Sequence, residues 1–381
     1  MNILIISRGI PSKRNPQIGS FEFDQAKALT KLGHTVSMAS VDSSFRLYYR
    51  KFGLTYEERE GIQLYEYYIC PGAITGLLGT VFKNKVKKWQ WQQIIKALNN
   101  NNEKIDIIYS HYLFNTYYAV NFLGKLNAPI VAIEHWSELQ KEALAPYITD
   151  MTEAYNHVNK VIAVSQSLQK KLKHKFNIDA QVVNNMVGDE FTYAPQPPSP
   201  IVRFIAAGSL IHRKGYDLLI HAFAKSELPK DKWELRIIGS GEEKNHLEQL
   251  IEQTGLQDNI SLVGQKGKQD IVALYHKSDV FVLPSRSETF GVVYIEAMAC
   301  GLPVIATPCG GPEEFVNEKN GLLVPVDDIN ALAKAIQYMY EHHQDYNRQA
   351  IADDCKARFS SEVIAKQLTE IFEDVAAKSK Y

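Results

Sequence analysis

The sequence predicts an α/β protein of two doubly wound, Rossmann-like domains. Three observations carry that expectation. Short apolar runs alternate with helical patterns along most of the 381 residues, the sign of parallel strands joined by crossover helices. The run A-P-Q-P-P-S-P, Ala194 to Pro200, interrupts that alternation as a stiff connector, and the pattern starts again behind it. The stretch V-F-V-L-P-S-R-S-E-T-F-G-V-V-Y-I-E-A-M-A-C-G-L-P-V, Val280 to Val304, reads as a strand feeding a polar loop that feeds a helix. That is the usual place for an anion in an open sheet. The length alone exceeds what one core ordinarily serves. The domains expected are 1–193, a linker 194–200, and 201–360, with a last helix in 361–381.

A hydrophobic content of 45% and a charged content of 22% are those of an ordinary soluble protein. The net charge of −1 hides an asymmetry. Residues 1–185 carry 22 Lys and Arg against 15 Asp and Glu, the remainder 20 against 28. A basic first half points to an acidic or membrane-surface partner. Cys70, Cys300, Cys309 and Cys355 lack C-x-x-C spacing and read as the reduced thiols of a cytoplasmic protein. M-N-I-L-I-I-S is a first strand rather than a signal peptide, and no run of about 18 apolar residues offers a membrane span.

Asn2 to Ser7 is expected as a buried parallel strand, and a helix from about Phe21 to Leu32 follows the loop R-G-I-P-S-K-R-N-P-Q-I-G-S. Gly19 in that loop would let the backbone approach a ligand closely; an ordinary βα connection is the alternative. Strands follow at His34 to Ser40 and Ile62 to Tyr68, with a mixed aromatic and cationic stretch, Phe45 to Arg59, between them. From Leu77 to Leu98, Lys83, Lys85, Lys87 and Lys88 lie beside Phe82, Trp89 and Trp91. That composition suits peripheral contact with an anionic membrane, or an amphipathic core helix with a solvated basic face. Strands at Ile105 to Ser110 and Pro129 to Ile133 lead into His111 and Glu134-His135-Trp136, with a helix from about Phe114 to Leu126 between them. Histidines at strand carboxyl ends sit where open sheets hold ligands, although a lone histidine is more often structural. Glu138 is a weaker candidate. Val161 to Val164 and Gln181 to Asn184 close this half.

In the second half Ile201 to Ala207 is a strand, followed by G-S-L-I-H-R-K-G and a helix through Ala224. Gly208 permits close approach, and Arg213 and Lys214 set two cations beside a helix N-terminus. A diphosphate suits that pair; a solvated basic loop is the alternative. Strands at Trp233 to Gly239 and Ile260 to Val263 precede Gly264-Gln265-Lys266. In the central stretch the N–H groups of Thr289, Phe290, Gly291 and Val292 would point at an anion, flanked by Glu288 and Glu296. A glycosidase needs its two carboxyls within roughly 5–9.5 Å. Eight helical residues at about 1.5 Å each would separate these by roughly 12 Å, so they more plausibly hold two parts of one long ligand. The alternative is a solvated Glu288 and a surface Glu296. Gly310-Gly311 offers amides to a ligand or makes a tight turn. Strands at Val304 to Thr307 and Asn320 to Val324 and helices at Asp328 to Tyr340 and Ser361 to Ala377 complete the chain.

S-E-T-F-G-V-V-Y-I-E-A-M-A-C-G-L-P-V resembles the E-x7-E signature of the family-4 retaining glycosyltransferases. Their GT-B fold sets two Rossmann-like, doubly wound domains facing a deep interdomain cleft. G-S-L-I-H-R-K-G resembles the family's donor loop G-x-x-x-x-x-K-G, with Arg213 and Lys214 at its phosphate-binding pair. V-V-N-N-M-V-G-D-E-F resembles its strand before P-N-G-V-D, with Asn184 and Met186 replacing the proline and glycine. The resemblance implies a donor domain at 201–360 and an acceptor domain at 1–193, onto which the last helix crosses back. The implied reaction moves a sugar from a nucleotide-sugar, a UDP-sugar by preference, to an acceptor hydroxyl with retention. Gly19 would face the donor diphosphate or the acceptor, and His111 and His135 would turn toward acceptor and donor sugar. Gln265 would lie by the nucleobase, Glu296 would take the ribose hydroxyls, and Glu288 with the Phe290 and Gly291 amides would orient the transferred sugar. Arg213 and Lys214 would stabilise the leaving diphosphate, so no metal or other cofactor is expected. The implied acceptor is a saccharide, lipid-linked or of a surface polysaccharide, met at the cytoplasmic face of a membrane; nucleic acid is not an expected partner. Three rivals make other demands. A nicotinamide dehydrogenase needs G-x-G-x-x-G after the first strand, absent from residues 7–21. A GT-B phosphorylase needs pyridoxal phosphate. A non-catalytic GT-B partner subunit has no use for Arg213, Lys214, Glu288 and Glu296 together.

Overall fold

The computed structural model describes residues 1–12, 14–15, 18–43, 51–69, 79–101, 103–135, 152–196 and 198–379, without the side chains of 79–81 and 83. Trp136, Glu138, Cys70 and the Phe45–Arg50 part of the Phe45–Arg59 stretch lie outside the described residues. The chain divides into two compact units.

Among its described residues the first unit holds eight strands: β1 (Asn2–Ile6), β2 (Thr35–Asp42), β3 (Gly53–Arg59), β4 (Ile62–Tyr68), β5 (Ile107–His111), β6 (Ile130–Glu134), β7 (Lys160–Ala163) and β8 (Gln181–Val182). Their order is β3-β4-β2-β1-β5-β6-β7-β8, parallel throughout except for the β3–β4 pair. Ile3 to Ile6 and Val131 to Ile133 are buried on both faces, which is why these strands read as unbroken apolar runs. β3 was not foreseen. It turns into β4 through Glu60 and Gly61, both at positive φ, the two-residue connection whose twist suits a hairpin. Strand order reverses between β1 and β5, so the loops after those two strands share the sheet's switch point.

The helix Gly79–Asn100 divides the segment expected at a membrane. Trp91 is wholly buried with Ile94, Ile95 and Leu98, and the Lys87 ammonium turns inward to Val41 O at 3.0 Å. Phe82, Lys85, Lys88 and Trp89 remain exposed. Helical period thus sends Lys87 and Trp91 to the core and leaves those four outside. Among the described residues no helix is long and apolar enough to cross a membrane. The helix Ser361–Lys378 belongs to this first unit. Phe372 meets the Tyr109 ring edge-on at 5.0 Å, and Thr369 Oγ1 lies 2.9 Å from His34 Nε2.

The second unit is an all-parallel six-stranded sheet of order β11-β10-β9-β12-β13-β14. Its strands are β9 (Val202–Ala207), β10 (Trp233–Ile238), β11 (Ile260–Gly264), β12 (Val280–Val282), β13 (Val304–Ala306) and β14 (Gly321–Leu323). Here the order reverses between β9 and β12. The boundary lies earlier than residue 193, since Asn184 onward packs with this unit. Val187 N–H donates to Phe359 O at 2.8 Å, and Phe191 packs on Tyr275. The proline-rich stretch is itself fastened to this unit, with Gln196 Nε2 donating to Ser278 O at 3.1 Å. A helix Arg348–Phe359, also not foreseen, is capped by the Asn347 side chain, which accepts from Ala350 N–H. Its buried residues are only Ile351, Ala352, Cys355 and Phe359, too sparse a stripe to stand out in the sequence.

Candidate functional site

In the second unit, the loops after β9 and β12 interlock at the switch point. The first carries Gly208, then a 3-10 turn His212–Lys214, then Gly215 at the start of the helix Tyr216–Lys225. Gly215 has φ 71°, and a Cβ there would stand 2.2 Å from Pro284 O, so only glycine lets the two loops touch. Arg286 N–H donates to Arg213 O at 2.8 Å, and Arg213 NH1 returns a bond to Ser287 O at 3.1 Å.

Glu288 is not solvated. It is 5% exposed, accepting from Lys214 Nζ at 2.6 Å and from Ser285 Oγ at 2.7 Å, with Arg213 NH1 4.0 Å away. The cation and the carboxylate expected on separate parts of a ligand therefore form one buried pair. Neither could be left alone there without a large penalty. Gly291 (φ 95°) precedes the helix Val292–Ala299, and Tyr294 is the first residue whose amide finds a turn, donating to Gly291 O at 3.1 Å. The amides of Val292 and Val293 belong to the helix's first turn, which has no intrahelical acceptor to offer them. Phe290 packs its ring against Phe315 and Phe359, so only its backbone can face a ligand, and Thr289 is half-buried beside it. Glu296 lies one turn further on, half-buried. Burial, with Glu296's charge beside it, pushes the Cys300 thiol up to about 12. Gln265 is exposed after β11, and Ser240 Oγ is 3.4 Å from its Oε1. Gly310 donates its N–H to the Glu313 carboxylate at 3.0 Å, as the tight-turn alternative expects of that residue.

In the first unit, the loops after β1, β5 and β6 bring together an aromatic and imidazole stack. His111 and His135 lie nearly parallel at 5.3 Å, with His135 Nε2 3.2 Å from His111 Nδ1. His111 has no exposed surface, and burial, with the charge of Arg8, pushes its pKa down to about 3. It cannot reach an acceptor, contrary to expectation; His135, half-buried above it, keeps the accessible edge. Gly19 caps the helix Ser20–Lys31 at φ 68°, but its bare face is filled: a Cβ would lie 1.9 Å from Gly9 O. The packing of its own loop already requires a glycine there.

Three participants here escaped notice in the sequence. The Arg8 guanidinium lies 4.1 Å from the centre of the Tyr112 ring and 3.1 Å from Oε1 of the wholly buried Glu22. Tyr112 sits at φ 70° without being glycine, a strained backbone of the kind that collects at functional sites. Arg8 stands two residues past the end of β1, a position that open-sheet logic would have flagged; no local pattern announces Tyr112 or Glu22. In the second unit Ser285, Arg286 and Asp217 are likewise new. Among the described residues, no three His, Cys, Asp or Glu side chains are grouped to hold a metal ion.

Both halves of the chain match family models: residues 21–191 the model for Glycosyltransferase Family 4, and residues 196–353 that for Glycosyl transferases group 1. The N-acetyl-alpha-D-glucosaminyl L-malate synthase of Bacillus anthracis is 30% identical over 300 residues, 73% of this chain and 77% of that one. Sucrose-phosphate synthase from Thermosynechococcus elongatus superposes with a TM-score of 0.76 over 99% of both chains at 19% identity. Anabaena Alr3699/HepE, solved in complex with UDP and glucose, does so with a TM-score of 0.72 over 98% of this chain and 100% of that one, at 21% identity. The two parallel sheets are those of the GT-B fold, and the chain belongs to the family 4 and group 1 glycosyltransferases, enzymes of sugar transfer.

Proposed function

We propose that the protein is a retaining, metal-independent glycosyltransferase that moves a sugar from a UDP-sugar to the hydroxyl of a saccharide acceptor, lipid-linked or part of a surface polysaccharide. One observation carries the reading: the β9 and β12 loops join two cations, a buried carboxylate and a helix N-terminus at one switch point. As the donor's C1–O bond breaks, charge gathers on the departing diphosphate. Arg213, Lys214 and the first-turn amides are fixed in advance to stabilise it, a service for which other transferases recruit a metal. The acceptor oxygen bonds C1 from the same face, and its proton passes to an oxygen of the leaving diphosphate. Lys214 is shared between that diphosphate and Glu288, so Glu288 holds the cation in place and, by the same carboxylate, orients the transferred sugar. Glu296 takes the ribose hydroxyls. His135 turns toward the sugar and His111 fixes its ring. The exposed Phe82, Lys85, Lys88 and Trp89 favour an acceptor at an anionic membrane.

Incubation with a panel of nucleotide-sugars and acceptors in excess EDTA tests the reading, with products followed by mass spectrometry and anomeric proton couplings. Release of UDP and a product of unchanged anomeric configuration are expected. An inverted product, a different base, or loss of activity restored by magnesium or manganese would each overturn the corresponding part.

A further inference from the structure

Three cations converge at the β9–β12 switch point, and an anionic ligand would be expected to use all of them. Their hydrogen bonds divide them. A guanidinium has five N–H groups. Arg286 spends Nε on Asp327 Oδ1 at 2.6 Å, NH1 on His212 O at 2.7 Å and on Asp217 Oδ1 at 2.8 Å, and NH2 on Asp217 Oδ2 at 2.7 Å. One N–H at most is left, and the side chain is only 17% exposed. Two carboxylates surround one guanidinium, so the trio is net negative and would repel a diphosphate in direct contact. Arg213 is the opposite case: 32% exposed, with a single bond to Ser287 O.

Everything Arg286 holds belongs to the site's scaffold. His212 begins the turn that carries Arg213 and Lys214, and Asp217 stands in the first turn of the helix behind it, where a negative charge is favoured. Asp327 comes from the loop after β14 at φ 59°, a left-handed backbone that a non-glycine residue adopts at a cost. Arg286 itself comes from the loop that carries Glu288. We propose that Arg286, through its fork to Asp217 and its bond to His212, is a positioning residue that sets Arg213 and Lys214 at the spacing of a nucleoside diphosphate without touching that ligand. The inference rests on the diphosphate reading of this loop. Lysine would keep the charge, but its donors radiate from one point and cannot span two carboxylates and a carbonyl.

The test compares a nucleoside diphosphate with its bare nucleoside, using whichever of UDP, GDP and ADP the wild type binds most tightly. Affinities are taken by calorimetry and ligand-detected NMR for wild type, R286K, D217N, the double variant and R213A, with melting temperatures alongside. R286K and D217N should each weaken the diphosphate about tenfold, in line with losing one charge-assisted fork, and leave the nucleoside unchanged. Their double variant should be no worse than either alone, because both break one fork. Wild-type affinity in R286K would show that charge alone suffices and overturn the proposal. So would full additivity of the two substitutions, an unaffected D217N, or equal weakening of the bare nucleoside. R213A separates the two levels. If it leaves diphosphate binding intact, or if none of the three diphosphates binds wild type, the diphosphate reading itself falls.

Discussion

The β1–β5 switch point of the first unit and the β9–β12 switch point of the second occupy the same place in two related sheets, and they are furnished in opposite ways. The second is a lattice of formal charges: Lys214 on Glu288 with Arg213 4.0 Å from the same carboxylate, and Arg286 on Asp217. Among the described residues the first holds one ion pair, Arg8 with Glu22, beside a stack of Tyr112, His135 and His111. Charged loops held by other charges are preorganised for a ligand that carries charge of its own. Rings with one accessible edge suit a ligand of hydroxyls and apolar sugar faces. Topology assigns the place for a ligand, and side chains decide which ligand it is.

The largest effect should come from breaking the charged lattice. Lys214→Ala should lower turnover about 10²-fold or more, the usual loss for a transition-state charge partner, whereas His135→Ala in the first unit should cost nearer 10-fold. Lys214→Ala should also lower the melting temperature, because Glu288 is left buried without its cation; Lys214→Ala/Glu288→Gln should recover stability but not turnover. Equal kinetic losses in the two units would erase the distinction between them.

A finer cut separates the two glutamates. Glu296→Gln should weaken the free nucleoside diphosphate by roughly 1–2 kcal/mol, through a neutral acceptor replacing a charged one. Glu288→Gln should spare the free diphosphate, since Lys214 is released to it, while turnover of the whole donor falls. Calorimetry with the diphosphate alone against both variants decides, and weakening confined to Glu288→Gln would reverse the assignment.

The smallest expected effect concerns protons in the first unit. His111 titrates near 3 when folded and in the ordinary histidine range when unfolded. As pH falls below about 6.5 the unfolded chain takes up a proton that the folded one refuses, so stability drops until the folded state also protonates. His111→Gln should therefore flatten the dependence of melting temperature on pH between 6.5 and 5, where carboxylates contribute least. An unchanged slope would mean that the ring is not held neutral.

The fold class was legible because parallel strands buried on both faces leave continuous apolar runs, and Val280 to Val282 with its following loop and helix is the plainest of them. What stayed hidden depends on contacts distant in sequence. Lys214 and Glu288 are 74 residues apart and Arg286 and Asp217 are 69 apart, so nothing local shows that the charges of each pair cancel. His111 looked available because it ends a strand, whereas it is an interior side chain with the rings of Tyr109 and His135 packed against it. The crossover between units was misplaced because prolines mark stiffness, and here the stiff segment is fastened along the second unit through Gln196.

The helix Ser361–Lys378 has a consequence for how this chain is made. A ribosome completes every strand of the second unit before it delivers the helix that places Phe372 against Tyr109 in the first. The first unit is thus finished only after the second has been made, and its sheet has one flank uncovered until then. That inverts the usual order in which domains mature on the ribosome. During that interval a partner that shelters exposed apolar surface has something to hold.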